Sequence, residues 1–320
     1  MEKIALMLVF ASSFLFTLFF APKYMKKARE KNYTVKDMYK RDKPEIPSIG
    51  GLIILAALLT SLVVALILVN LIGVETITAL IILYFLILVY GLFGLADDLF
   101  QIGHSWKIIV PYFLAMPIVA LMPESTINLY YTEINPGIWY LFLIAPMYIM
   151  VTSNLINMHS GYNGLACGLS YIILSFIMIR VFFESGAEKI FMFLPLFGSL
   201  LAFIYYETYP ARIFWGNTGS LMTGAALGAF LVVNKLELFG VVILLPHIIN
   251  FLMYVVWKIK KLGDVKFGTL REDNTLEVPN HWTLKWFFPY HLRLTEHQSM
   301  WILYGLTTLS GIMGLILVPY

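Results

Sequence analysis

Apolar segments long enough to cross a lipid bilayer recur along the chain, and no other sequence feature limits its fold as strongly. A membrane-spanning helix needs about 20 predominantly apolar residues. We predict ten such segments, of which the fourth and the eighth are short: 4–21, 49–72, 77–96, 108–122, 139–156, 165–183, 191–206, 221–233, 239–257 and 300–318. The expected fold is therefore an all-α integral membrane protein, a bundle of about ten transmembrane helices.

The composition agrees with this prediction and excludes other classes of protein. Of the 320 residues, 60% are hydrophobic and only 13% are charged, which is too apolar for a soluble domain of this size. The single cysteine, Cys167, excludes an internal disulfide and a cysteine zinc site. The first apolar segment lacks a small-residue cleavage site, so we expect a retained helix. Residues 1–320 are expected to form one polytopic domain, with a cytoplasmic loop segment at 258–299.

Positive charge is concentrated in the connections that follow odd-numbered segments. The first and ninth connections contain Lys23, Lys26, Lys27, Arg29, Lys31, Lys36, Lys40, Arg41, Lys43, Lys258, Lys260, Lys261, Lys266, Arg271, Lys285 and Arg293. Because cytoplasmic loops carry an excess of lysine and arginine, both termini are expected outside and the odd-numbered connections inside. The polar motifs lie in those connections. The sequence therefore predicts a multi-pass protein of the cell membrane whose active site faces the cytoplasm.

Two adjacent carboxylates, Asp97 and Asp98, end the third apolar segment and are followed by Lys107. Taken alone, such a pair is most often a solvated helix end. Two acids at the carboxyl end of a helix are, however, unfavourable for the helix dipole, and they repel each other. A divalent cation or a cationic ligand would favour them.

Three other motifs, NLINMHSGYNGLACG, YYETYPARIFWGNTGS and KPEIPSIGGL, place polar groups at the same predicted membrane surface. The segment NLINMHSGYNGLACG (154–168) is rich in asparagine and glycine, which is typical of a turn, but amide oxygens also bind hard cations. The segment YYETYPARIFWGNTGS (205–220) combines a cation with aromatic rings and a helix start that suits phosphate. An aromatic belt with a helix cap is the simpler interpretation of that segment.

Single residues of these motifs are candidate substrate contacts. In KPEIPSIGGL, Pro47 and Ser48 belong to an entry turn where the backbone can approach a ligand. Gly164 and Arg212 are candidates in the two longer motifs. Together, carboxylates, amides, cations and aromatic rings at one surface suit a magnesium–nucleotide-diphosphate site.

The motifs resemble those of a known family, the polyprenyl-phosphate N-acetylhexosamine-1-phosphate transferases of membranes. The stretches KPEIPSIGG, GLADDLFQIGHSWK, NLINMHSGYNGLACG, YPARIFWGNTGS and PYHLRLTEHQ occur in the family's order and cover nearly the whole chain. The dolichyl-phosphate N-acetylglucosamine-1-phosphate transferases look most similar, because YPARIFWGNTGS is similar to their Tyr-Pro-Ser-Arg-x-Phe-x-Gly-Asp segment. The absence of large insertions suggests an archaeal member of the family.

The resemblance implies catalytic and metal-binding roles. Asp97 and Asp98 match the aspartate pair of the family, Lys107 matches a lysine near the diphosphate, and His291 matches a histidine of the last cytoplasmic loop. The expected cofactor is Mg²⁺, with Mn²⁺ as an alternative metal. Its expected ligands come from three positions: Asn157, Asn217 and Asp98. Asn217 stands where the family usually has an aspartate, which removes a negative charge from the expected metal site.

The resemblance also implies how the nucleotide and the sugar are recognised. Asn163 matches the asparagine that recognises uracil, and Phe214 matches the aromatic residue that stacks on the base. The arginine- and histidine-rich segment of the last loop is not reproduced here. Lys266 and Arg271 are the candidates for its role, so the identity of the sugar stays open.

The predicted reaction is attack by a lipid phosphate oxygen on the β-phosphorus of a UDP-sugar, with UMP as the leaving group. The expected partners are UDP-N-acetylglucosamine, dolichyl or another polyprenyl phosphate, and the bilayer, with a homodimer as a further expectation and no nucleic acid. Another UDP-hexosamine or undecaprenyl phosphate is an alternative. A transporter of a phosphorylated solute and an inactive homologue are the other hypotheses. A transporter would carry ionisable groups near the membrane midplane, which the predicted spans largely lack.

Overall fold

The structure is a computed structural model that describes residues 2–122, 125–129, 132–186, 188–261, 263 and 265–318. Within these ranges the α-helices are α1 (Glu2–Glu30), α2 (Gly51–Ile67), α3 (Val69–Ile72), α4 (Val74–Phe100), α5 (Trp106–Leu114), α6 (Ala145–Met158), α7 (Leu165–Ser185), α8 (Leu194–Glu207), α9 (Gly216–Val233), α10 (Glu237–Ile243), α11 (Leu245–Ile259), α12 (Leu284–His291) and α13 (Glu296–Leu317). Two 3₁₀ segments, Met116–Leu121 and Glu188–Phe193, and one π-helical turn, Tyr140–Ile144, extend α5, α8 and α6.

Three short antiparallel hairpins lie in the connections between the helices. Their strands are β1 (Thr34–Lys36) with β2 (Glu45–Pro47), β3 (Ile127–Leu129) with β4 (Thr132–Ile134), and β5 (Thr269–Leu270) with β6 (Leu276–Glu277). In the first hairpin Thr34 pairs with Pro47 and Lys36 pairs with Glu45. The rest of the described chain is mostly helical, so the prediction of a helical membrane protein is confirmed.

Seven helices in the described residues are long and apolar enough to cross a membrane. They are Ile4–Glu30, Val74–Phe100, Tyr140–Met158, Leu165–Ser185, Lys189–Glu207, Gly216–Val233 and Glu296–Leu317. The pair α10 and α11 passes the same test together but bends by 66° at its break, just before Pro246. Two shorter apolar helices, Gly51–Ile67 and Trp106–Leu121, fall on the second and fourth predicted segments. That all ten segments cross the bilayer stays a prediction.

Two predicted boundaries differ from the structure for identifiable reasons. The first helix continues to Glu30, so the basic residues at the start of the first connection are helical; lysine, arginine and glutamate are good helix formers. The eighth segment is not short. It begins at Gly216 rather than at residue 221, because the Gly-Asn-Thr-Gly-Ser sequence forms the first turn of α9 instead of a turn before it.

Helix α9 lies at the centre of the bundle and packs against α4 and α6. Its apolar window is 83% buried, compared with 28% for that of α1. Small residues make this possible, because they let helix backbones approach closely in a membrane. A Cβ atom on Gly224 would come within 2.6 Å of Ser153 Cα, and one on Gly94 of α4 within 2.8 Å of the carbonyl carbon of Asn217.

The connections that follow the odd-numbered segments meet at one end of the bundle. Residues 45–51 form backbone hydrogen bonds with residues 214–215, and residue 163 bonds to residue 296. The segment 258–299 contributes β5, β6 and α12 to this end. Its apolar residues form a second core cluster with residues of the first and fifth connections: Tyr39, Tyr162, Leu165, Leu169, Trp257, Leu276, Leu284, Trp286, Met300 and Leu303. The motifs of the sequence therefore share one face of the protein.

Candidate active site

The aspartate pair lies in the last turn of α4, and its two carboxylates have different partners. Asp97 is 2% exposed; its Oδ2 lies 2.6 Å from Lys107 Nζ, and its Oδ1 accepts the Ile102 N–H at 2.9 Å. Asp98 instead accepts three hydrogen bonds from the start of α9: Asn217 N–H at 2.8 Å, Thr218 N–H at 2.9 Å and Thr218 Oγ–H at 2.7 Å. The partner of Asp97 is thus a lysine of the protein itself, and the expected divalent cation stays a prediction.

The electrostatics of this arrangement explain why two acids can end one helix. The unfavourable carboxyl end of α4 is placed against the amino end of α9, whose free N–H groups carry partial positive charge. Asp98 therefore receives from α9 the N–H donors and the partial positive charge that the carboxyl end of α4 lacks. Lys107 neutralises Asp97, so the repulsion between the two neighbouring carboxylates is offset on both sides.

The expected metal ligands lie beside this pair. Asn157, in the last turn of α6, accepts a hydrogen bond from Ser220 Oγ at its Oδ1 atom, at 2.8 Å. Ser220 and Asn217 both belong to the first turns of α9, and Asn217 donates its backbone N–H to Asp98. The structure therefore brings Asp98, Asn157 and Asn217 to the ends of three helices that meet around the amino end of α9.

Asn163 is buried, and its backbone N–H and both polar atoms of its side chain form hydrogen bonds. Its backbone N–H donates to Glu296 Oε1 at 2.7 Å, its Nδ2 donates to Asp37 at 3.1 Å, and its Oδ1 accepts the Ala211 N–H at 2.8 Å. The side chain thus links the first, fifth and seventh connections. Its predicted contact with uracil stays a prediction, and a base would have to replace one of these partners or use other atoms.

A lysine ties the same network together. Lys40 Nζ lies 2.5 Å from Glu296 Oε2 and 3.1 Å from Asp37 Oδ2, and it sits 4.4 Å from the centre of the Tyr209 ring. Burial alone would lower the pKa of Lys40, but the two carboxylates raise it above its ordinary value. Sequence analysis missed Lys40, Asp37 and Glu296 as site-forming residues. Glu296 follows Thr295 in a capping box at the start of α13, and that motif was the available signal.

Backbone hydrogen bonds join the entry turn at residues 47–51 to the aromatic motif at residues 214–215. Phe214 N–H donates to the Pro47 carbonyl at 2.9 Å, and Gly50 N–H donates to the Phe214 carbonyl at 2.8 Å. The Ser48 carbonyl accepts from Tyr24 Oη at 3.0 Å. Phe214 is half-buried, and its predicted stacking on the base stays a prediction. Pro47, Ser48 and Phe214 are thereby placed together.

The remaining candidates of the two longer motifs lie on either side of this turn. Gly164 caps α7 with a positive φ of 71°, and a Cβ atom there would also come within 3.0 Å of Thr208 Cα. Arg212 is exposed, and its guanidinium lies 4.3 Å from the Tyr205 ring and 4.9 Å from the Tyr206 ring. This stacking is typical of the membrane-interface arrangement that competed with a substrate role.

Three candidates of the last connection are not brought to the aspartate pair by any contact found in the described ranges. Arg271 donates to Leu276 O and to Thr275 Oγ within its own hairpin. His291 ends α12, is exposed, and packs against the rings of Phe287 and His281. Lys266 is exposed. Their predicted substrate and catalytic roles stay predictions.

Fold and site together define a helical membrane protein with a polar, phosphate-compatible site at one end. Residues 79–235 match the profile described as glycosyl transferase family 4. A Saccharolobus solfataricus protein is 28% identical over 99% of this chain and 98% of its own length, and one from Sulfolobus acidocaldarius is 27% identical over 90% of this chain and 88% of its own length. Both carry the provisional name UDP-N-acetylglucosamine–dolichyl-phosphate N-acetylglucosaminephosphotransferase.

A bacterial relative extends the comparison. The phospho-N-acetylmuramoyl-pentapeptide-transferase of Clostridium botulinum is 29% identical over 66% of each chain. The matched residues, 79–235, belong to glycosyl transferase family 4. The resemblance drawn from the five sequence motifs is therefore confirmed.

Proposed function

We propose that this enzyme transfers N-acetylglucosamine-1-phosphate from UDP-N-acetylglucosamine to dolichyl phosphate. The products are UMP and a dolichyl diphosphate sugar, which starts the assembly of a lipid-linked glycan for protein glycosylation. The two archaeal relatives that span nearly the whole chain carry names for this reaction, whereas the clostridial relative matches only two thirds of it.

One observation of the site carries the proposal: the aspartate pair contacts Lys107 on one side and the amino end of α9 on the other. Backbone N–H groups at a helix start and a lysine are the protein groups that bind phosphate. Because Asp97 and Asp98 are adjacent, their partners, the lysine and the start of α9, lie at the same end of α4. Asp97 holds Lys107 at 2.6 Å, and Asp98 fixes the first turn of α9 through three hydrogen bonds.

The chemistry needs little beyond positioning and charge neutralisation. An ionised oxygen of dolichyl phosphate attacks the β-phosphorus of the UDP-sugar, a new P–O bond forms, and the bond to the UMP oxygen breaks. The acceptor phosphate is already ionised at neutral pH, so it needs no strong base. Lys107 stabilises the negative charge that develops on the leaving UMP. An aspartyl-linked phosphosugar intermediate is the alternative route.

The donor atoms beside the pair fit a magnesium ion. Asp98, Asn157 and Asn217 supply the carboxylate and amide oxygens that Mg²⁺ prefers, and Mn²⁺ accepts the same atoms. No group of three or more His, Cys, Asp or Glu side chains suited to a metal occurs among the described residues, so the amides would have to contribute. A bound ion would neutralise the diphosphate. Asn217→Asp restores a carboxylate, and we expect it to lower the Mg²⁺ concentration needed for half-maximal turnover; an unchanged requirement would remove Asn217 from the metal site.

The orientation of the protein is part of the proposal. The end of the bundle that contains the motifs carries the lysine-rich first and ninth connections, so it faces the cytoplasm, where UDP-sugars are made. Ten membrane crossings accommodate this arrangement with both termini outside. A cysteine placed at residue 36 should react with impermeant thiol reagents only in inside-out vesicles. A homodimer is the expected assembly from the family resemblance, and the mass in detergent tests it.

A panel of substrates tests which sugar and which lipid the enzyme takes. Purified protein in detergent is given UDP-N-acetylglucosamine, UDP-N-acetylgalactosamine or the UDP-muramoyl-pentapeptide, each with dolichyl or undecaprenyl phosphate. We expect turnover with the first donor and the dolichyl acceptor to exceed all other combinations. A preference for the muramoyl donor would move the enzyme to the reaction named for the clostridial relative.

A further inference from the structure

Lys285, in the first turn of α12, directs its ammonium group at the asparagine-rich turn between α6 and α7. Its Nζ donates to the Ser160 carbonyl at 3.0 Å, and the Tyr162 hydroxyl donates to the Lys285 carbonyl at 2.8 Å. The lysine backbone and its side-chain tip are therefore both fixed against residues 160–162. No sequence motif singled this residue out, since it counted only as one charge of a basic connection.

The charge of this ammonium is not balanced by a carboxylate in the part of the chain that the structure describes. Lys107 and Lys40 each have an acidic partner within 3.1 Å, whereas Lys285 has a carbonyl oxygen. An ammonium carries three protons, so two remain available to a ligand. His159 interacts electrostatically with Lys285, but burial keeps the pKa of His159 well below its ordinary value, so it stays neutral.

The ammonium is buried beside an exposed glycine, and a chain of contacts links it to the proposed metal ligands. Gly161 is exposed, and a Cβ atom on it would come within 2.6 Å of Lys285 Nζ. A side chain at this position would collide with the ammonium, so the glycine lets Lys285 reach the turn. On the other side, Ser160 Oγ donates to the Asn157 carbonyl at 2.8 Å, and Asn157 bonds to Ser220 of α9. One short chain of contacts joins Lys285 to the active site.

We propose that Lys285 binds a phosphate oxygen of the nucleotide-sugar diphosphate and is a substrate-binding residue of this enzyme. The inference rests on the proposed function, because it assigns the anion to that donor. The donor diphosphate is favoured over the lipid phosphate because the turn that Lys285 contacts leads directly to Asn163, the predicted uracil contact. Burial lowers the pKa of Lys285 to about 8, which agrees with a cation that gains its counter-charge only with substrate.

A purely structural role is the competing explanation. A cation at the carboxyl end of α6 would interact favourably with the helix dipole, whatever the substrate. The two roles differ in which ligand they affect. A diphosphate contact affects UDP but leaves uridine unaffected, whereas a lost helix cap weakens both ligands together or only lowers stability.

The first test compares binding to full-length protein in detergent with Mg²⁺ present. Lys285→Met is compared with wild type and with Lys260→Met, which removes an exposed lysine that lies over the Trp282 ring. We expect Lys285→Met to weaken UDP binding roughly ten- to hundredfold, the value of a charge-assisted hydrogen bond, with uridine affinity within twofold of wild type. Lys260→Met should change neither. Equal weakening of both ligands, or no change in UDP affinity, would overturn the proposal.

Steady-state kinetics separate this proposal from the proposed function. If wild type turns over and Lys285→Met raises the KM for UDP-N-acetylglucosamine but not that for dolichyl phosphate, both stand. A rise confined to the KM for dolichyl phosphate would assign Lys285 to the lipid phosphate and refute the diphosphate contact. Wild type that binds UDP tightly but forms no lipid product would refute the proposed reaction alone.

A measurement on the wild-type protein covers the case in which the variant does not fold. Lysine acetylation by a water-soluble reagent is read out residue by residue with mass spectrometry. We expect UDP to protect Lys285 at least fivefold, uridine to give no protection, and Lys260 to react equally in all samples. Acetylation of Lys285 that is unaffected by saturating UDP would overturn the proposal.

Discussion

The ion pair between Lys107 and Asp97 predicts a strong and reversible effect of a single substitution. Lys107→Met removes the ammonium that lies 2.6 Å from Asp97 Oδ2. The Asp97 side chain is 1% exposed, so water cannot replace the lost partner, and only the Ile102 N–H remains as a donor. Asp98 is the next residue, so the unpaired carboxylate also lies beside a second negative charge.

The magnitude follows from these contacts. Breaking a buried ion pair by removing one partner costs about 3 to 5 kcal/mol in free energy of unfolding, because an uncompensated charge is left behind. An exposed pair offers the matched control. Lys27 lies 3.1 Å from Glu30, with side chains 68% and 47% exposed, and Lys27→Met should cost less than about 1 kcal/mol.

The second substitution makes the prediction reversible. In Lys107→Met/Asp97→Asn the remaining group is neutral and can still accept the Ile102 N–H. We expect the double variant to regain all but about 1 kcal/mol of the loss. A double-mutant cycle in one detergent, followed by thermal unfolding, measures the coupling. A Lys107→Met variant as stable as Lys27→Met would refute the reasoning, as would a double variant no more stable than Lys107→Met.

The same pair of variants separates the two roles of Lys107. Because Asp97 is itself a predicted catalytic residue, turnover of the double variant is compared with that of Asp97→Asn alone. If the lysine contacts the substrate diphosphate, the double variant turns over more slowly than Asp97→Asn although the two are similarly stable. If the lysine only neutralises Asp97, the two variants turn over equally. The structure shows the ion pair, and the proposed function requires the first outcome.

Three further perturbations have predicted outcomes. Glu296→Gln removes the carboxylate that accepts hydrogen bonds from Lys40 and from the Asn163 N–H, and it should lower the free energy of unfolding by about 2 kcal/mol. The exposed control Glu30→Gln should lower it by less than about 1 kcal/mol in the same thermal unfolding experiment. Equal losses would contradict the hydrogen-bond network around Glu296. Burial lowers the pKa of Lys285 from 10.5 to about 8, so between these pH values the unfolded chain binds more protons than the folded protein. The stability of wild type relative to Lys285→Met should therefore rise with pH, by at most about 1.4 kcal/mol per pH unit. A stability difference that stays flat from pH 8 to 10 would contradict the burial of Lys285. Gly94→Ala places a Cβ atom against the backbone of α9 and should lower the free energy of unfolding by about 1 to 3 kcal/mol. Gly305 has open space around it, so Gly305→Ala should be neutral or slightly stabilising. Similar effects of the two substitutions would argue against the close approach of α4 and α9.

The aspartate pair shows how far sequence reasoning reaches at this site. The unfavourable position of two acids at a helix end correctly indicated that something else must favour them. The lysine ten residues after Asp97 was available in the same motif. The partner of Asp98 was not, because α9 begins about 120 residues later and only packing brings its first turn to α4. The same packing explains why the start of α9 was predicted five residues late.

The network around Asn163 shows a different limit. The asparagine was visible as part of a motif, but its burial and its partners Glu296 and Asp37 depend on contacts between distant connections. Local sequence patterns report helices, caps and turns, and they do not report which connection lies against which. Lys40 and Lys285 were visible only as members of basic connections for this reason.

The most direct test of the proposed reaction follows phosphorus and sugar at the same time. UDP-N-acetylglucosamine labelled with ³²P at the β-phosphate and with ¹⁴C in the sugar is incubated with the purified enzyme, Mg²⁺ and dolichyl phosphate, and Asp98→Asn serves as the control. We predict that both labels enter the lipid in a one-to-one ratio, that unlabelled UMP is released, and that the variant forms no product. Lipid that contains ¹⁴C without ³²P, with the phosphorus retained in UDP, would contradict phosphosugar transfer.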